Sequence, residues 1–288
     1  MLRASSAPEF WHWNRGAISP FHGGVPISDR GFRYGQHLFE SIAFCKGRAL
    51  FADEHLQRLD AASRRVGIPA SGPLLSALRR FLFSISLPDG MLRIYLTAGV
   101  GAPASPVKCP SCFLSWEDCK FPTSESISQG IVLKLHPKPF LGEGWGEKSG
   151  NYLPHLAVLE SARSAGADEA IVTNVKGRVL SCAMGNLLVW MPSSRRAGSV
   201  LCTPAPGREP GFGPRAGVVL GWVRTQGVVN DRILRVPDLL RASAMAVTNS
   251  RLGVMPVSEL DGEKFPKPSL ALELAQAYLQ QHVLFGGA

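Results

Sequence analysis

The chain has 288 residues, a hydrophobic share of 45% and a formal net charge of +9 at pH 7, a size that buries a substantial core in two domains of ordinary length. No apolar run reaches the length of a membrane span, and Met1 to Arg15 lack the basic start and apolar block of a secretory signal, so a soluble cytoplasmic protein is the expectation. The basic residues are dispersed, with short clusters at Arg64-Arg65, Arg79-Arg80 and Arg195-Arg196 and no nucleic-acid-binding signature, so the charge argues for anionic small ligands and against nucleic acid.

Residues 10 to 30 begin as a strand hairpin through Phe10-Trp11-His12-Trp13 and Ala17-Ile18. Leu38 to Phe44 has strand character, and Lys46-Gly47 turns it back into Arg48-Ala49-Leu50-Phe51. Asp53 then caps a helix with Leu56, Leu59, Ala62 and Val66 on one face and a stop at Gly67; Arg58 and Arg65 lie off that face. A second helix over Leu74 to Phe83 and strands over Met91–Thr97 and Ser111–Trp116 complete an α+β N-terminal domain, residues 1–121. The polar stretch 122–129 is expected to connect it to a C-terminal domain, 130–288.

That second domain opens with an apolar, partly β-branched strand, Gly130 to His136. A glycine-rich turn, Gly142-Glu143-Gly144-Trp145-Gly146, then delivers Lys148-Ser149-Gly150-Asn151-Tyr152. Asn151 is expected to cap a helix through Leu153, Leu156 and Leu159 to Gly166, with Pro154 tolerated in its first turn. Glycines on both sides of Lys148 let backbone approach a ligand, and a lysine desolvated there becomes nucleophilic. A hairpin follows over Glu169–Val175 and Arg178–Cys182, then strands at Asn186–Trp190 and Val200–Thr203. The Gly/Pro-rich stretch Pro204 to Arg215 leads to a helix from Ala216 to Thr225, a short helix at 238–242, a strand over Ala244–Thr248 and a last helix over 270–283.

Of the six cysteines, Cys45, Cys182 and Cys202 sit alone in apolar surroundings, as small core residues do. Cys109-Pro110-Ser111-Cys112 with Cys119 has the form of half a zinc site, but no second pair and no histidine pair accompanies it. Reduced cysteines without a metal are expected.

Four blocks in order resemble the class IV, or fold-type IV, pyridoxal-phosphate enzymes: branched-chain aminotransferases, D-amino-acid aminotransferases and aminodeoxychorismate lyases. The blocks are Asp29-Arg30-Gly31 to Phe39-Glu40; Glu54-His55-Leu56-Gln57-Arg58-Leu59; Lys148-Ser149-Gly150-Asn151-Tyr152-Leu153 to Ala167-Asp168-Glu169-Ala170; and Thr248-Asn249-Ser250 to Gly253-Val254-Met255-Pro256-Val257. The resemblance spans about residues 22 to 262. It implies a two-domain α+β or α/β fold of the D-amino-acid aminotransferase type, pyridoxal 5'-phosphate as cofactor, an amino acid and a 2-oxo acid as substrates, and a homodimer.

By position, the resemblance makes Lys148 the catalytic lysine that bonds the cofactor aldehyde and moves the substrate α-proton. It assigns the cofactor phosphate to Arg58, to Ser250 and to backbone N–H groups at Val218 and Val219, where a threonine hydroxyl is common. Phe39 faces the substrate, and Ser181 and Cys182 lie beside the cofactor. Ser181 is the main departure, because the family usually has there a glutamate that keeps the pyridine nitrogen protonated; a hydroxyl weakens that electron sink. Asn186 supports the alignment. Thr97-Ala98-Gly99 lacks the arginine that often follows the threonine, and Arg251 is the substitute suggested for the substrate carboxylate. Transfer of an amino group comes first among the implied activities, release of pyruvate from aminodeoxychorismate second, and a weakly catalytic cofactor-binding homologue third.

Overall fold

A computed structural model describes residues 10–14, 16–140, 147–193, 198–206, 214–265 and 268–284. The chain divides into two compact units, Met1–Phe121 with Glu147–Asn151, and Pro122–Gly146 with Tyr152–Ala288. The lysine segment therefore groups with the N-terminal unit, whereas the sequence reading gave it to the C-terminal domain. The glycine-rich turn 142–146 and the Arg195-Arg196 pair lie outside the described residues, as does 207–213 of the Gly/Pro-rich stretch.

The first unit runs β1 (Phe10–Asn14), β2 (Ala17–Pro20), α1 (Arg30–Tyr34), β3 (His37–Cys45), β4 (Arg48–Ala49), α2 (Ala52–Val66), α3 (Gly72–Ser84), β5 (Gly90–Thr97) and β6 (Ser111–Asp118). Its strands form an antiparallel sheet in the order β2-β1-β6-β5-β3-β4. Alternation decides which side is buried under helices. Leu38, Ile42 and Phe44 of β3 and Leu92, Ile94 and Leu96 of β5 pack with Leu56, Leu59, Leu74, Leu78 and Leu82 of α2 and α3. Asp29 caps α1, accepting from the Gly31 N–H at 2.7 Å and from the Thr97 hydroxyl at 2.7 Å. Arg30, 1% exposed, donates to the carbonyls of Ala98, Gly99 and Ser105. The Asp29-Arg30-Gly31 block is thus a fastener for the loop after β5.

The second unit contains α4 (Ser124–Gln129), β7 (Ile131–Leu135), α5 (Leu153–Ser164), β8 (Glu169–Thr173), β9 (Val179–Cys182), β10 (Asn186–Pro192), β11 (Ser199–Pro204), α6 (Val218–Gln226), β12 (Asn230–Arg232), α7 (Val236–Leu240), β13 (Ala244–Asn249), β14 (Gly253–Leu260), β15 (Glu263–Lys264) and α8 (Ser269–Tyr278), which runs on into a π turn at Leu279–Leu284. The nine-stranded sheet has the order β12-β11-β10-β13-β14-β7-β8-β9, with β15 paired to β14. β7 lies parallel to both β14 and β8, so α5 belongs to a crossover connection, and the lysine segment is part of that connection. The core gathers Leu133, Ile171, Leu187, Val189, Met245, Val247 and Val257.

Three helix starts differ from expectation. Phe51, in the left-handed region at φ 55°, precedes α2, and Asp53 sits in the first turn paired with Arg79 at 2.8 Å. Tyr152, not Asn151, occupies the cap position of α5. Residues expected as a connection form α4, whose Thr123 and Ser126 cap each other reciprocally. The three-residue β12 is all polar, so no apolar alternation announced it.

Candidate active site

Lys148 is held by backbone as an extra edge on β3. The Phe39 N–H donates to the Lys148 carbonyl at 2.9 Å, and the Gly150 N–H donates to the His37 carbonyl at 2.9 Å. Leu38 and Ser149 form an antiparallel bridge between these bonds. Gly150 packs against the His37 ring: a Cβ there would lie 1.8 Å from Cε1 of His37. Burial holds the His37 ring below its ordinary pKa, although the Gly31 carbonyl and Asp29 act against that. The Lys148 amine stands 3.9 Å from the centroid of the Phe39 ring, a cation–π distance. The lysine and one expected substrate contact are thus brought together.

Arg58 is one turn past His55 on α2, and both meet Glu40, the one charged residue of β3. Arg58 donates through Nε and Nη2 to the two carboxylate oxygens at 2.8 and 2.5 Å, and His55 Nδ1 lies 2.7 Å from Oε2. Burial alone would raise the Glu40 pKa, but the hydrogen bonds and charges of Arg58 and His55 prevail and hold it at about 2. His55 is kept below its ordinary value by burial, with the Arg58 and Lys148 charges adding and Glu40 opposing. The carboxylate takes two of the five guanidinium donors and fixes the plane of the fork, which pre-orients Arg58. Neither Glu40 nor His55 received a role from sequence, because β3 and α2 are adjacent only in the fold.

In the second unit, Ser181 Oγ donates to the Cys182 carbonyl at 2.9 Å. Alternation along β9 sends the Cys182 side chain the opposite way, into the core, where it is 2% exposed. Burial, then the nearby Glu169 carboxylate, pushes its thiol well above the ordinary range. The thiol thus lies on the opposite side of β9 from the Ser181 hydroxyl and packs as a core group. Val218 and Val219 are buried in the first turn of α6, whose cap Gly217 makes no side-chain hydrogen bond. A Cβ on Gly217 would fall 1.9 Å from Asn186 Oδ1, so backbone and amide are in close approach there. Asn186 also donates to the Arg215 carbonyl at 2.8 Å.

Ser250 lies in the turn from β13 to β14, where Asn249 Oδ1 accepts from the N–H groups of Arg251 and Leu252 at 3.0 and 2.8 Å. Next to this turn, Thr248 Oγ1 is buried with no hydrogen-bond partner among the described residues. Arg251 itself is exposed.

Two further groups in this unit escaped the sequence reading. Glu169, 3% exposed, accepts from the N–H groups of Ala170 and Met184 at 2.9 and 3.0 Å and so holds the turn between β9 and β10. Burial raises its pKa to about 7 against those hydrogen bonds and the Arg163 charge. Arg215 places its guanidinium 5.2 Å over the Tyr152 ring, donates to Tyr152 Oη at 3.2 Å and reaches His155 Nε2 at 2.8 Å. Arginine can only donate and the Ala183 carbonyl, 2.8 Å from His155 Nδ1, can only accept, so the histidine proton sits on Nδ1. Arg215 belongs to no helix or strand, and its place two residues before Gly217 was the only cue.

Among the described residues no three His, Cys, Asp or Glu side chains are grouped to hold a metal, and no helix is long and apolar enough to cross a membrane.

The architecture itself defines the class. The 4-amino-4-deoxychorismate lyase of Pseudomonas aeruginosa superposes with a TM-score of 0.79 at 25% identity, covering 95% of this chain and 100% of that one, and the fold is fold-type IV. The sequence profile described as amino-transferase class IV matches residues 37–260, and the chain belongs to that family. A Methanocaldococcus jannaschii protein assigned as a branched-chain-amino-acid aminotransferase is 27% identical over 83% of this chain and 83% of its own length. The aminodeoxychorismate lyase of Vibrio harveyi is 26% identical over 81% of this chain and 86% of its own. The family is one of pyridoxal-phosphate-dependent transaminases and lyases, and the cofactor is pyridoxal 5'-phosphate.

The residues present fit that group. The first unit offers an amine on an edge strand and a guanidinium fixed by Glu40. The second offers a helix start at Gly217, where side-chain bulk would meet Asn186, and a buried Thr248 hydroxyl that has no hydrogen-bond partner among the described residues, beside Ser250. Ser181 is the position that departs from the usual donor set.

Proposed function

We propose that the protein transfers an amino group from an amino acid, branched-chain or of D configuration, to a 2-oxo acid, with Lys148 as the catalytic amine. The observation that carries this reading is the Lys148 amine, set by two backbone hydrogen bonds against the Phe39 ring. Pyridoxal phosphate, when bound, supplies an aldehyde that takes up amines and a ring that accepts electrons from the α-carbon. Lys148 Nζ would be the amine that holds the cofactor aldehyde and, when free of it, the base that carries the proton at the substrate α-carbon. Arg58 binds phosphate with a fork already aligned by Glu40, and the N–H groups of Val218 and Val219 and the hydroxyl of Ser250 are phosphate donors in the second unit. Arg251, exposed in the turn from β13 to β14, is the candidate contact for the substrate carboxylate.

Ser181 limits the rate in this reading. A hydroxyl gives the pyridine nitrogen little reason to hold its proton, so electron withdrawal is weak. Ser181→Glu is expected to raise the rate of the amino-acid half-reaction about tenfold or more; no rise would show that the neutral partner is not the limit.

A second reading, release of pyruvate from 4-amino-4-deoxychorismate, is favoured by the similarity to the Vibrio and Pseudomonas lyases. Incubating the cofactor-loaded protein with amino acid and 2-oxo acid, and separately with aminodeoxychorismate, separates the two. Amino transfer without pyruvate release is the expected result. Pyruvate release alone would replace the first reading with the second, and neither activity in a loaded protein would leave a cofactor-binding homologue. By the same family likeness the protein works as a cytoplasmic homodimer; sedimentation at twice the 31.0 kDa chain mass is expected.

A further inference from the structure

The side of the first unit's sheet turned away from α2 and α3 carries a row of rings. Strand register sets Phe39 opposite Tyr95, Tyr95 opposite Phe113, and Phe113 opposite His12. Residues directly opposite share a face, so these four side chains form one line across β3, β5, β6 and β1. Phe39 and Tyr95 stack with centroids 6.5 Å apart and planes at 24°, and His12 and Phe113 at 5.0 Å and 27°. Phe21 closes the far end, 5.2 Å from His12 and 5.6 Å from Phe113. The Lys148 amine stands over the near end.

The row is separate from the helix-covered core, which among the described residues contains neither Phe39 nor Phe113. His12, Phe21 and Tyr95 keep part of their surface exposed. Burial lowers the His12 pKa, which keeps a flat uncharged ring in the stack at neutral pH. Strands lie about 4.8 Å apart, so Tyr95 is one strand step from Phe39 and Phe113 is two. A branched aliphatic side chain anchored at the amine would fill the first step and leave the second empty. A flat ring one carbon beyond the α-carbon would lie along both.

We infer that this row is the side-chain subsite and that it narrows the donor of the preceding reading to an amino acid bearing an aryl ring in place of a branched aliphatic one, the ring seated on Tyr95 and Phe113 with the α-carbon at Lys148. Tyr95 and Phe113 are then specificity-determining residues. The inference rests on Lys148 being the cofactor-linking amine.

The test uses the full chain loaded with pyridoxal phosphate, followed by its absorption spectrum. Half-reactions with phenylalanine and tryptophan are expected to show kcat/KM at least about tenfold above valine and alanine. Tyr95→Leu should lower the phenylalanine-to-valine ratio roughly three- to tenfold, with Tyr95→Phe retaining it. Calorimetry gives a readout independent of turnover: 3-phenylpropionate is expected to bind at least about tenfold more tightly than butyrate, and Tyr95→Leu to narrow that gap. Equal affinities, or a ratio unmoved by Tyr95→Leu, overturn the subsite. A loaded, coloured protein with no aryl preference overturns this inference alone. A protein whose spectrum never changes on adding cofactor overturns the Lys148 reading and this inference with it.

Discussion

Glu40 faces the helices on a side of β3 that is otherwise apolar, and its burial would be costly without Arg58 and His55. Its pKa of about 2 lies below the ordinary 4.5, so it contributes stability that is fully present above about 4.5 and is lost as pH falls toward 2. Glu40→Gln is expected to cost on the order of 3 kcal/mol at pH 7 and to remove that part of the acid sensitivity, measured by urea unfolding across the range. An unchanged acid limb in the variant would contradict the assignment. Glu169 has the opposite sign. Its pKa is raised from 4.5 to about 7, so its protonated form favours the folded state, and stability falls as pH rises from 4.5 to about 7, then levels. The wild type should lose roughly 3 kcal/mol more across that window than Glu169→Gln does, in paired unfolding curves at pH 5 and pH 7.5. Equal losses would mean that Glu169 is not the titrating group. The expectations for Lys148, Phe39 and Arg58 came from blocks that are contiguous in sequence. The sequence could not show the Glu40–His55–Arg58 triad or the Tyr152–His155–Arg215 cluster, whose members meet only through tertiary pairing.

At the scale of elements, strands and helix bodies were legible from alternation and apolar stripes, as in β3, β5, α2 and α5. Helix starts were not. Asp53 and Asn151 have cap-forming side chains, yet the chain enters α2 through Phe51 in the left-handed region, and Asn151 is used elsewhere. Its Oδ1 occupies the space that a Cβ on Gly35 would need, at 1.9 Å. Turn composition also hid α4, because the serines and threonine read as a connection serve as its reciprocal cap. The lysine edge is the element on which the proposed function depends most. Gly150→Ala drives a methyl group into the His37 ring and pushes the ring and the Lys148 edge apart. A displacement near 1 Å at a reacting group costs about 100-fold in rate. The variant is therefore expected to lose about that much kcat while its far-ultraviolet circular dichroism is retained. Wild-type turnover in a folded Gly150→Ala would show that the edge pairing does not position the amine.

On the scale of the whole molecule, the chain parts into two compact units after Phe121, and Glu147–Asn151 groups with the first. Contiguous sequence suggests contiguous domains, so it carries no cue to that excursion. The crossover from β7 to β8 passes through that excursion, so a connection within one sheet carries Lys148 to the edge of another. Family membership and fold were legible from four ordered blocks, none of which needed its own three-dimensional context. The central claim is that this amine bonds the cofactor. Borohydride reduction of the protein loaded with pyridoxal phosphate, followed by proteolysis and mass spectrometry, reads it directly. The account predicts a cofactor mass increment on the peptide containing Lys148, absent from Lys148→Ala. The same increment on Lys134 or Lys176 instead, or no labelled peptide from a protein that has bound cofactor, would contradict it.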